Sequence, residues 1–158
     1  MAKLKKISDV LEVAIRIERN GVNFFNKLYS LVKSPEARDV FSFLAAEEEK
    51  HIGVCRKLLD KVADYNPRFE YPGEYELFLD GIAYRAVGTF NKIEEAISTE
   101  DASGAINLGI DLEMESILFY SELLKQFKDA EKKHIRRVIN EEKSHLSKLK
   151  SIKDKLKF

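Results

Sequence analysis

Apolar residues recur three and four positions apart along four long stretches of the chain, the period of a helix with one buried face. The first stretch runs from about Ser8 to Lys33, with the stripe Leu11, Ala14, Ile15, Val22, Phe25, Leu28, Tyr29 and Val32. Ser34 is a natural cap for the next helix, and Pro35 suits a first turn that needs no N–H. That second helix is predicted to reach about Asp64, with the stripe Phe41, Leu44, Ala45, Ile52, Cys55, Leu58 and Leu59. A third runs from about Asp101 to Phe127 on Ile106, Ile110, Ile117, Tyr120, Leu123 and Leu124. The fourth runs from about Asp129 to the end on Ile135, Val138, Ile139, Leu146, Leu149 and Ile152.

The links within the first and second pairs of helices are very short, so each pair is predicted to be an antiparallel hairpin. Between the pairs lie residues 65–100, broken by Pro67, Pro72 and Gly73 and helical in pattern over Tyr75–Tyr84 and Val87–Ile97. A link of that length lets the third helix start at either end of a bundle. It reads as a crossover inside one domain spanning residues 1–158. The expected fold is all-α: a four-helix bundle of two hairpins joined by a long crossover.

Composition narrows the function classes. The 158 residues carry 27 Lys and Arg against 27 Asp and Glu, which argues against a nucleic-acid partner. Hydrophobic residues make up 44% of the chain, enough for a sizeable core, and only 3 Pro and 7 Gly interrupt it. The single cysteine, Cys55, excludes an intramolecular disulfide or a Cys-only metal site. No apolar run is long enough to span a membrane, and the N-terminus is interrupted by Asp9 and Glu12. A cytoplasmic protein is expected. Lys (19) and Glu (18) dominate while Gln occurs once, a bias that points to a thermophilic source.

Charged residues interrupt the apolar stripes at matching places. Glu18 sits among Ala14, Ile15, Gly21 and Val22, and Glu113 among Gly109, Ile110, Ser116 and Ile117. On the second helix the interruption is Glu48 and His51, one turn apart; on the fourth it is Glu142 and His145. Four buried carboxylates without partners are strongly disfavoured, and a shared metal is the economical resolution.

Chain geometry supports this reading. At about 1.5 Å per residue, Glu18 and Glu48 stand at the same height in the first hairpin, as do Glu113 and Glu142 in the second. The hairpins also repeat each other: Ile17-Glu18-x-x-Gly21-x-x-Phe24-Phe25 matches Leu112-Glu113-x-x-Ser116-x-x-Phe119-Tyr120. Two facing half-sites make a two-metal centre, and four carboxylates neutralise two divalent ions. His with hard carboxylate oxygens suits iron, with manganese as the other candidate. In this arrangement Glu48 and Glu142 bridge, Glu18 and Glu113 are terminal, and His51 and His145 each bind one metal.

Other features carry less. His134 follows Glu131 by the same spacing, but the pair lies roughly 16 Å along the axis from the predicted centre and reads as a surface feature. Cys55 lies one turn past His51 on the same face and reads as a small buried hydrophobe. Tyr29 and Tyr120 read as packing residues, with a hydrogen bond to a metal ligand as the sharper role.

The motifs AAEEEKH and INEEKSH, with Glu18 in IERNGVNFF and Glu113 in LEMESILFY, resemble the ferritin-like superfamily, and most of all its rubrerythrin-like branch. The likeness covers the four bundle helices. It implies a di-iron site between them. It also implies reduction of peroxide or dioxygen by a non-haem di-iron oxidoreductase, with an external electron donor, or else oxidation of ferrous iron by an iron-handling protein. Two departures stand out. One cysteine does not supply the Cys-rich rubredoxin domain that rubrerythrins usually add, and Ser116 stands where they tend to carry an extra carboxylate ligand. The long crossover argues against a closed storage cage. A homodimer or larger homo-oligomer is expected, and a non-catalytic, metal-stabilised interaction module is the reading from a different class.

Overall fold

A computed structural model describes residues 6–62 and 102–156, together with 77, 80, 81, 91 and 92. Its four long helices are α1 (Ile7–Leu31), α2 (Pro35–Leu59), α3 (Ala102–Leu124) and α4 (Asp129–Leu156), and no strand occurs among the described residues.

Local chemistry sets the helix ends. The Lys6 backbone N–H donates to the Asp9 carboxylate at 2.9 Å, tying down the start of α1. Ser34 caps α2 by accepting from the Ala37 N–H at 3.4 Å, and Pro35 opens the first turn, as predicted. Two helices end earlier than the periodicity suggests: α2 at Leu59 and α3 at Leu124. The reason is the same at both ends. The N–H groups of Lys61 and Val62, and of Lys125, Gln126 and Phe127, turn to carbonyls three residues back. This tightening swings Val62 and Phe127 into the core, where both are buried.

Helix α1 packs on α2 and α3, and α4 packs on α2 and α3. Tyr120 of α3 meets Glu18 of α1, while Gly109 lies beside Phe24, so α3 runs antiparallel to α1. Likewise His51 faces Glu141 and Glu48 faces His145, so α4 runs antiparallel to α2. The four helices therefore run up, down, down and up. Consequently α2 ends and α3 begins at opposite ends of the bundle, roughly 35 Å apart for helices of this length. The link between Val62 and Ala102 is thus a crossover in the sense predicted. Most of the helices expected within it lie outside the described residues; the five positions described there, Leu77, Asp80, Gly81, Asn91 and Lys92, are helical.

The buried apolar side chains form two clusters. One gathers Ile7, Leu11, Ile52, Leu58, Leu123 and Ile135 around the end of the bundle where α1 begins. The other gathers Phe24, Phe25, Phe41, Leu44, Ile106 and Leu149 around the opposite end. Between them lies a layer of buried polar residues: Glu18, Glu48, His51, Glu113, Ser116, Glu142 and His145. The stripe prediction holds with one correction. Tyr29 is exposed, with the Arg38 guanidinium 4.3 Å from its ring centre. Leu28 takes the inward position of that turn, and Tyr29 is rotated past it. No helix among the described residues is long and apolar enough to cross a membrane.

Candidate metal centre

Each of the four helices delivers ligand-type side chains to the same level. α1 brings Glu18 and α3 brings Glu113, each 3% exposed or less. α2 brings Glu48 and His51, and α4 brings Glu142 and His145, pairs that share a face because residues three apart are neighbours on a helix. The ligand atoms fall into two overlapping groups, each within 4.8 Å: Glu18, Glu48, His51 and Glu142, and Glu48, Glu113, Glu142 and His145. Glu48 and Glu142 belong to both. All six residues singled out in the sequence are thereby brought together. Glu131 and His134 stand apart from both groups.

The imidazole rings of His51 and His145 lie nearly parallel, their centres 5.5 Å apart, and both turn Nδ1 into the carboxylates. His51 Nδ1 is buried without a hydrogen-bond partner among the described residues, although oxygens of Glu142, Glu48 and Glu18 lie 3.4, 3.5 and 3.6 Å away. Oxygens of Glu142, Glu48 and Glu113 lie 3.0, 3.4 and 3.6 Å from His145 Nδ1. A divalent ion with bonds of about 2.1 Å holds its ligand atoms about 3–3.5 Å apart. The spacing of these donors, and the orphaned nitrogen at their centre, fit a cation better than they fit one another.

Electrostatics agree. Burial pushes Glu18 and Glu113 well above the usual carboxylate range, and the negative charges of Glu48 and Glu142 push further in the same direction. Burial also opposes ionised Glu48 and Glu142, but the imidazoles facing them help hold both low. Burial works against a charged His145, yet the carboxylates of Glu113, Glu142 and Glu48 raise it to about 11; His51 is raised further by Glu142, Glu18 and Glu48. Without a metal the cluster thus sets two imidazoles biased toward their charged form against Glu48 and Glu142, with Glu18 and Glu113 biased toward the neutral acid.

A ring of further groups holds the ligands. Tyr120 donates its hydroxyl hydrogen to Glu18, and Cys55 Sγ lies 3.3 Å from the Tyr120 oxygen. Burial keeps the thiol protonated, pushed up to about 12, and raises the phenol as well. The chain of donors therefore runs from Cys55 through Tyr120 to Glu18. Ser116 donates to Glu142 at 2.7 Å. His51 Nε2–H donates to Glu141 at 3.1 Å, and Arg137 Nε holds that carboxylate at 2.9 Å. Sequence periodicity did not single out Glu141. It stands next to Glu142 in INEEKSH, with Glu142 inside and Glu141 at the rim. At Gly21 α1 runs close to Glu48: a methyl group there would sit 3.3 Å from Glu48 Cγ.

Comparison with known proteins bears on this arrangement. The fold resembles that of a Thermotoga maritima protein described as a candidate ferritin-like diiron-carboxylate protein, with a TM-score of 0.68, 23% identity and 98% of each chain covered. A search of curated proteins gives no significant match. The sequence model of the Rubrerythrin family matches residues 9–153, a span that covers most of all four helices and includes the six buried ligand-type residues, and the chain therefore belongs to the Rubrerythrin family.

Proposed function

We propose that the six side chains hold two iron ions and that the protein is a non-haem di-iron oxidoreductase reducing peroxide or dioxygen by two electrons. The observation that carries this reading is the sharing of Glu48 and Glu142 between two donor groups, each completed by one His and one further Glu. Glu48 and Glu142, common to both donor groups, would serve both ions, while Glu18 with His51 and Glu113 with His145 would each serve one. When bound, a ferrous pair supplies two electrons to a small oxidant, with an external donor restoring them afterwards.

The chain's own residues do the rest. The two apolar clusters flank the polar layer and limit water around it. Tyr120 keeps its proton and remains a donor to Glu18, fixing the direction of that carboxylate. Ser116 does the same for Glu142, at the position where rubrerythrins tend to carry an extra carboxylate. Its hydroxyl, already donated to Glu142, would add no further carboxylate to the ions.

Anaerobic loading with ferrous iron, elemental analysis and stopped-flow mixing with hydrogen peroxide test the reading. The expected result is two irons per chain and rapid oxidation, with both lost in Glu48→Ala. Fewer than one iron per chain, or an unchanged rate in Glu48→Ala, overturns it. So does growth of a mineral core on repeated iron addition, which marks an iron-storage protein instead.

A further inference from the structure

The two half-sites are related by the hairpin repeat, so each supporting group around one has a counterpart position around the other. The counterparts differ in chemistry. Tyr120 donates to Glu18, but its twin on α1 is Phe25, which has no hydroxyl to offer Glu113. No hydroxyl donates to Glu113 among the described residues, and its buried Oε1, like His51 Nδ1, faces the cluster without a hydrogen-bond partner there. Glu141, held by Arg137, accepts from His51 Nε2. Its twin on α2 is Glu47, but the residue matching Arg137 is Phe43, and Glu47 pairs with Lys50. His145 Nε2 is left buried without a partner among the described residues, beside the edge-on ring of Phe43.

Both differences favour the same side. A carboxylate on the far nitrogen fixes the proton there, frees Nδ1 as the donor atom and raises its basicity. A hydroxyl on Glu18 fixes that ligand's direction. At the other half-site neither ligand has such support among the described residues, and the outer nitrogen of its imidazole, His145 Nε2, is buried unsatisfied. We infer that the two metal positions are unequal: the one at Glu18 and His51 fills first and holds its ion tightly, and the one at Glu113 and His145 is the exchangeable position. Glu141 and Tyr120 are then positioning residues that set this order. The inference rests on the two-metal reading above.

Cobalt(II), which is stable to air at such sites, serves as the probe in calorimetric and visible-absorption titrations of the full chain. The wild type is expected to take up two ions in separate steps. His145→Ala should retain the tight step alone, and His51→Ala the weak one alone. Repulsion between two ions also separates steps in a symmetric site, so the deciding variant is Tyr120→Phe with Glu141→Gln, which should weaken the first step about tenfold to a hundredfold. Glu47→Gln should leave both steps unchanged. Circular dichroism confirms that each variant is folded. A tight step that survives in His51→Ala, or one unmoved in the double variant, overturns the inference while leaving the two-metal reading intact. Absence of cobalt uptake by the wild type, or uptake insensitive to Glu48→Gln, overturns that reading as well.

Discussion

The proton inventory of the centre follows from four residues. In the metal-free protein His51 and His145 are biased toward the charged form, and Glu18 and Glu113 toward the neutral acid. A metal takes these ligands only as neutral imidazoles and ionised carboxylates. Loading two ions should therefore release protons near neutral pH, read with an indicator dye in weakly buffered solution; release near zero would mean that the ligands are already deprotonated. Glu18, Glu48, His51, Glu113, Glu142 and His145 were legible in the sequence because each is a polar residue on an apolar stripe, and because stripe, height and repeat coincide at all six. Glu141 and Ser116 were not legible as supports. Their roles depend on which neighbouring helix they face, and periodicity within one helix does not contain that information. Tyr29 misled for a related reason: a stripe residue late in a helix can rotate out of the core by a single position.

At the scale of one helix, the interruptions in α1 and α2 have opposite costs. Ser34→Ala removes the cap of α2 and should cost about 0.5–1 kcal/mol in urea unfolding, with metal uptake unchanged. Gly21→Ala should raise the intrinsic preference of α1 for helix by about 1 kcal/mol. The added methyl would crowd Glu48, so metal affinity should fall even if the apo protein is no less stable, a split that calorimetry and thermal unfolding would separate. Phe41→Ala empties part of the second apolar cluster and should cost about 3–5 kcal/mol. The helices themselves were readable from periodicity and from Ser34 and Pro35. Their C-termini were not, because the turns that bury Val62 and Phe127 answer to tertiary packing and leave the apolar spacing unchanged.

For the molecule as a whole, the charged imidazoles tie stability to pH. His145 is raised from 6.5 to about 11, so its contribution to the metal-free fold is complete below 6.5 and is lost as pH rises through 11. Glu18 and Glu113, raised as acids, act in the same direction. Denaturant midpoints of the metal-free protein should fall steadily above neutral pH, whereas metal affinity should rise; a flat midpoint between pH 7 and 10 would contradict the first statement. The up-down-down-up order, which the length of the crossover permitted but did not dictate, also sets how the molecule opens. Its two apolar clusters are separated by a charged layer, so the metal-free bundle is held at its two ends and weakest at its waist. Amide hydrogen exchange along each helix should therefore be slow, fast and slow again from one end to the other. Loading with metal should turn that waist into the slowest-exchanging zone, so that the centre of the bundle changes from its point of rupture to its clasp.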